Sequence, residues 1–168
     1  MFAGHETTTG LLGNSIVALA EHDDQRSLLR KQPGMVANAV EELLRYDSPA
    51  QIAVRTTTAP VRAGATTIPA GANVALIIGA ANRDPRQFPD ADQLRLDRLD
   101  PRPISFGSGI HHCLGAALTR LEMRVALPGF LDTFGKYTLD HANLSWKQSA
   151  TLRGPTQLRI HPEQGAHG

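Results

Sequence analysis

The 168 residues contain a single cysteine, Cys113. It closes the stretch Phe106-Gly107-Ser108-Gly109-Ile110-His111-His112-Cys113-Leu114-Gly115, and a helix-forming run over residues 116–125 follows. A sulfur so placed stands near a helix N-terminus, where unpaired N–H groups and the helix dipole favour negative charge. The thiol is then readily held as thiolate, the form that binds metals and attacks electrophiles. The glycines let the backbone come close to a bulky neighbour and turn further N–H groups toward the sulfur. Taken alone, a lone cysteine is more often a small buried hydrophobe. A zinc site built from His111, His112 and Cys113 would need a fourth ligand and more regular spacing, and the chain has no second cysteine.

Three further groups could do chemistry. Glu6 and Thr7 put an acid beside a hydroxyl on one predicted helix, a pair that can pass protons through water. By themselves such residues are more often capping or dipole-complementing residues of a first turn. Glu42 and Arg45 stand at i,i+3 and so share a helix face. Without further context, such a pair is an exposed ion pair worth less than about 1 kcal/mol. Arg55, on a predicted strand, reads alone as a solubility charge on a sheet edge.

Together these stretches form a pattern. Phe106, Gly109, His111, Cys113 and Gly115 follow, in order, Ala3-Gly4-His5-Glu6-Thr7-Thr8 and Glu42-Leu43-Leu44-Arg45. The pattern resembles the cytochrome P-450 monooxygenases of the soluble bacterial type. The likeness runs from residue 1 to about residue 160. It corresponds to the C-terminal part of the family, whose members are more than twice this long. The resemblance implies heme b, iron protoporphyrin IX, with Cys113 as the axial iron ligand. A thiolate there pushes electron density onto the iron and favours O–O cleavage. It further implies that Phe106, Gly107 and Gly115 shape the heme loop, and that His111 and Arg55 donate to the heme propionates. Glu6 and Thr7 would deliver protons, with Ala3 and Gly4 leaving room for O2. Glu42 and Arg45 would lock their helix to a later meander through Arg98 or Arg95. Ile52, Ala53 and Leu152 would touch substrate.

The implied function is oxidation, by hydroxylation or otherwise, of a small organic molecule with O2 and electrons from a ferredoxin or flavoprotein. Two alternatives stay open. The chain could keep the fold without oxygenase activity, as a non-redox cyclisation catalyst or a helper for a partner enzyme. It could also be a remnant, or a fragment of a longer gene.

The elements that must position these residues follow from periodicity and breakers. The expected fold is mainly α with small β-sheets (α+β), a truncated heme-binding portion of the P-450 fold over residues 1–162, with a disordered tail at 163–168. Helices are expected over residues 4–20, 25–31 (capped by Asp23 or Asp24) and 35–46, the last stopped by Ser48-Pro49. Strands are expected over 52–57, 61–63, 66–68 and 73–78, the last buried by its apolar composition. An irregular stretch over 82–103 has Phe88, Leu94, Leu96 and Leu99 to anchor it. A helix over 114–134 can break at Pro128-Gly129, whereas the resemblance implies that it continues through that point, and short strands are expected at 136–139, 144–148 and 158–160.

Composition bounds the partners. Seventeen Lys+Arg against sixteen Asp+Glu give no electrostatic case for nucleic acid or an anionic membrane. The longest apolar run, residues 74–81, is too short to span a bilayer. The start has no secretory pattern, and one cysteine allows no internal disulfide, so a cytoplasmic setting is expected. The apolar faces of the first and last long helices have few partners within the chain. Self-association or a partner chain is therefore expected to cover them.

Overall fold

In the computed structural model, residues 4–163 are described. Ala3 and the tail from residue 164 onward lie outside them. The central element is α1, Glu6–Glu21, which carries buried residues on every side between Gly10 and Leu19. It begins two residues later than the periodicity predicts. Glu6 suits the positive end of the dipole, and the Thr9 hydroxyl donates to the His5 carbonyl at 2.7 Å. Next comes α2, Asp23–Lys31, with acids in its first turn and Arg30 and Lys31 in its last. His22, not an aspartate, holds the N-cap position, and no side chain caps the helix. Asp23 instead pairs with Arg26 one turn on. A 3-10 turn over Pro33–Met35 leads into α3, Val36–Tyr46. This helix ends where the residues before Pro49 can no longer stay helical.

Strand β1, Ile52–Thr56, pairs antiparallel with β4, Asn73–Ile77, so that Ile52 faces Ile77 and Arg55 faces Val74. Between them, β2 (Val61–Ala63) and β3 (Thr66–Ile68) form a hairpin around Gly64, whose φ of +60° suits a residue without Cβ. Composition makes β4 a buried strand, and the structure corrects this. Leu76 and Ile77 are about half exposed, because β4 pairs with β1 alone in a two-stranded sheet. Residue 78 leaves the strand and buries its side chain in a short helix, α4, Ile78–Ala81.

The irregular stretch after Asn82 is pinned by Phe88, Leu94 and Leu96, whereas Leu99 is fully exposed and anchors nothing. Helix α5, Ala116–Phe134, runs unbroken through Pro128. Proline leaves the Arg124 carbonyl without its helical donor, on a side that is exposed at Arg124 and Val125, where water can reach. Two small hairpin-like sheets close the chain. In one, β5 (Tyr137–Leu139) pairs with β8 (Ile160–Pro162). In the other, β6 (Ser145–Trp146) pairs with β7 (Pro155–Gln157). The last two strands thus flank Leu158 rather than include it.

The core lies where α1, α2, α3 and α5 meet, filled by Leu11, Leu19, Leu43, Leu44, Met123, Leu127 and Leu131, with Leu96 of the irregular stretch. Tyr137 seals its edge. Its hydroxyl donates to the Ile16 carbonyl at 2.9 Å, and the Arg26 guanidinium stacks 4.6 Å from its ring centroid. Burial pushes the Tyr137 hydroxyl up to about 12.

Candidate functional site

The loop before α5 is built on two glycines in the left-handed region, Gly107 (φ +70°) and Gly109 (φ +66°). This winding lets the Cys113 N–H reach back to the Phe106 carbonyl at 2.8 Å. It also leaves the Cys113 thiol exposed and unbridged. A Cβ added at Gly115 would lie 3.8 Å from that sulfur, so glycine there keeps the flank of the thiol clear. Ile110 (98% exposed), Leu114 (101%) and Leu118 (59%) surround the sulfur in sequence with open apolar side chains. His111 ends a 3-10 turn, Gly109–His111, and is exposed.

Phe106 is half-buried and packs on the core. The Arg120 guanidinium, one turn into α5, stands 4.6 Å from its ring centroid and is gripped by Glu41. That grip holds the guanidinium protonated beyond its usual range, with the nearby Cys113 sulfur adding to it. Sequence reasoning missed both Arg120 and Glu41. The signal was the Glu41-Glu42 dipeptide, whose two acids must leave the helix in different directions.

Behind the loop lies a buried cluster of charge. Arg45 meets Glu42 through two hydrogen bonds, at 2.7 and 2.9 Å, and both side chains are fully buried. The remaining Arg45 donors reach the carbonyls of Asn82 (3.0 Å), Ala91 (2.8 Å) and Gln93 (2.9 Å). Arg98 donates to Glu42 at 3.0 Å and also to the carbonyls of Pro89 and Asp90. Arg95 offers Glu42 its backbone N–H, at 3.0 Å, while its side chain faces solvent-exposed aspartates. An exposed ion pair, the reading for Glu42 and Arg45 in isolation, is thus corrected. Every donor in the cluster meets an acceptor, the condition under which buried charge is tolerated. Asn38 and Asn82, both missed in the sequence, extend it. Asn38 donates to the Leu96 and Arg98 carbonyls, and Asn82 ties Ile104 and Ser105 to the end of α3.

The other predicted residues are more scattered. Glu6 is partly exposed and lies 3.5 Å from Lys147 of the C-terminal hairpin. Thr7 is half-buried beside it, and the next hydroxyl, Thr8, meets Thr119 of α5 at 3.3 Å. Gly4 is exposed with open space around it. Arg55 points along its own exposed strand and donates to the Val54 carbonyl at 2.8 Å. Ile52 and Leu152 come together in one cleft of about 280 Å3 with Ile77 and Trp146, whereas Ala53, paired with Leu76, does not line it. No cluster of metal-binding side chains forms among the described residues, and none of their helices is long and apolar enough to cross a membrane.

Comparison with known proteins gives the context for this loop. The sequence model of the family described as Cytochrome P450 matches residues 1–142. The chain is 44% identical over 156 residues to "Cytochrome P450 130" of Mycobacterium tuberculosis, covering 92% of this chain and 38% of that protein. It is 49% identical over 170 residues to the "Vitamin D(3) 25-hydroxylase" of Pseudonocardia autotrophica, covering 95% and 40%. Among solved structures, the tirandamycin C-bound monooxygenase TamI superposes with a TM-score of 0.90 at 41% identity, over 95% of this chain and 42% of that one. P450BioI, solved with an acyl carrier protein bearing hexadec-9Z-enoic acid, gives a TM-score of 0.91 at 37% identity, over 96% and 42%. The chain therefore spans about 40% of the length of the relatives it matches.

Proposed function

The chain belongs to the cytochrome P450 family, and from that membership we propose that it is the heme-thiolate portion of an oxidoreductase acting on a small organic molecule. The family's cofactor is heme b, and the residues present fit it. The donor set is one exposed thiol with its flank kept open by Gly115, exposed apolar side chains next to it in sequence, and exposed N–H donors in His111 and Arg55. That open thiol on a glycine-wound loop is the observation that carries the proposal. When bound, heme supplies the activation of O2 for transfer of oxygen to substrate, with electrons drawn from a ferredoxin or flavoprotein.

The chain's own residues do the rest. Cys113 would ligate the iron through its exposed sulfur, from the loop just before α5. Phe106, on which Arg120 stacks, would support the loop from the core side, while Gly107 supplies its left-handed turn and Gly115 keeps the flank of the sulfur clear. His111 and Arg55 would bind the propionates, Arg55 by exchanging its neighbouring carbonyl for a carboxylate. Glu6 and Thr7 would hold and pass protons from the start of α1, where Lys147 keeps the Glu6 side chain oriented. Ala3, outside the described residues, and Gly4 would leave space for O2. Ile52 and Leu152 would form substrate walls, with Ala53 on the adjoining strand face. Residues 1–162 would act as one heme-binding unit, in a cytoplasmic setting, with self-association or a partner chain covering the open side of α5.

The test is an absorption spectrum of the purified chain loaded with heme, reduced and exposed to carbon monoxide. The expected result is the strongly red-shifted band of a thiolate-ligated heme, lost in Cys113→Ala while the far-UV circular dichroism is unchanged. Heme uptake without that band, or a band that survives Cys113→Ala, overturns the proposal.

A further inference from the structure

Residues 151–154 are fastened to three other parts of the molecule. The Gln51 N–H donates to the Thr151 carbonyl and the Arg153 N–H to the Pro49 carbonyl, both at 2.8 Å, with an antiparallel bridge between Ala50 and Leu152. The Lys147 N–H reaches the Gly154 carbonyl at 3.0 Å. The third fastening is made of side chains. Arg153 Nε donates to both carboxylate oxygens of Asp47, at 2.9 and 3.0 Å, and its guanidinium lies 4.2 Å from the Trp146 ring centroid.

This last contact stands between two hollows. On one side is the cleft of about 280 Å3, where Ile52, Ile77 and Leu152 form an apolar wall and Lys147 and Ser149 complete a mixed lining. On the other is a more polar cavity of about 410 Å3, reached by Asp47, Ser48 and Arg83. Gln51, Trp146 and Arg153 line both, so they form the partition. In the polar cavity the Ser48 hydroxyl is buried and makes no hydrogen bond. An Arg153 released by Asp47 would find both space and an acceptor there, and Leu152, the residue before it, would move with it.

We propose that Asp47 and Arg153 are positioning residues that fix Leu152 against Ile52, set the width of the cleft at its apolar wall, and so decide which shapes of apolar group that wall accepts. This rests on the reading of that cleft as a substrate wall, and it assigns the selectivity to a pair that need not touch the substrate. Arg153 holds the wall through geometry rather than charge alone. A planar guanidinium can meet both carboxylate oxygens while lying on an indole, and an ammonium group does so less well.

The test uses the full chain without added heme, so a failed carbon monoxide spectrum and a failed clamp are separate results. The variants are Asp47→Asn, Arg153→Met and the milder Arg153→Lys. Hydrogen exchange is followed at the amides of Gln51, Arg153 and Lys147, with Thr57 and Asp140, bonded to Ala72 and Arg159, as distant references. Exchange at the first three is expected to speed up by about tenfold in Asp47→Asn and Arg153→Met, less in Arg153→Lys, and not at the references. In parallel, fluorescence of Trp146, the only tryptophan, reports binding of 1-hexanol and cyclohexanol. The ratio of the two affinities is expected to change by about threefold or more in the same order of variants. Unchanged exchange at the three amides overturns the clamp. Loosened amides with an unchanged ratio overturn its role in selectivity, as does equal loosening at the references. A native chain that binds neither alcohol overturns the cleft itself. Should Asp47→Asn fail to fold, the Arg153→Lys results decide in the same way.

Discussion

Glu42 is the side chain whose loss should cost the protein most. It is fully buried and accepts from Arg45, Arg98 and the Arg95 backbone. Glu42→Gln leaves two guanidiniums facing a neutral amide, and the expected cost is about 3–5 kcal/mol, read as a fall in the urea midpoint. By contrast, Asp84, held down to about 2 by hydrogen bonds from Arg86, lies at the surface against an arginine that is itself almost fully exposed. Replacing it should leave the midpoint where it was. Asp47 behaves differently again. Burial raises its carboxyl above the ordinary 3.8, and Arg153 offsets only part of that. Arg153→Ala should therefore move its NMR titration midpoint further up. Because the folded value is the higher one, what Asp47 adds to stability is full below its unfolded value and declines as pH rises through the folded value. The stability difference between native protein and Asp47→Asn should shift in that sense across the window. The spacing of Glu42 and Arg45 was plain in the sequence, but their burial was not. The carbonyls that make burial tolerable come from Asn82, Ala91 and Gln93, in a stretch without periodicity. Arg153 carried no signal at all, since its partner lies more than one hundred residues away.

Among the elements, glycines separate positions with room from positions without. A Cβ at Gly154 would come 2.9 Å from the Gly10 Cα, backbone against backbone, and one at Gly13 would come 2.5 Å from the Pro155 ring. Gly154→Ala should cost about 1–3 kcal/mol by forcing α1 away from the C-terminal hairpin. Gly129, within α5, has open space around it. Gly129→Ala should stabilise the helix by up to about 1 kcal/mol, seen as a higher melting temperature. The helices were legible because their apolar residues recur with helical spacing. Burial of β4 was misread because Val, Leu and Ile in a row signal a covered strand only where something covers it. The passage of α5 through Pro128 was implied by the resemblance but not by the residues alone, since it depends on which side of the helix is open to water.

At the scale of the whole molecule, the core is one-sided. Leu11, Leu43, Met123 and Leu127 are sealed between helices, while Leu118, Leu121 and Val125 of the same α5 stay open. Substituting Leu118 and Leu121 by lysine should lower the mass seen by light scattering at high protein concentration, and leave the core and the circular dichroism as they were. The expectation that both the first and the last long helix lack neighbours holds for α5, but not for α1, whose residues between Gly10 and Leu19 are buried by α3, α5 and the C-terminal hairpins. The arginine cluster behind the loop has a consequence of its own. The coil from Arg83 to Arg102 has almost no regular structure and is rich in tryptic sites. It is held because Arg45 reaches in from α3 and Arg98, within the coil, folds back on it, both grasping its carbonyls. The peptide bonds after Arg86 and Arg95 should therefore survive trypsin in the native chain. In Arg45→Met they should be cut early, since Arg45 alone ties α3 to the carbonyls of Ala91 and Gln93 and, at the coil's start, of Asn82.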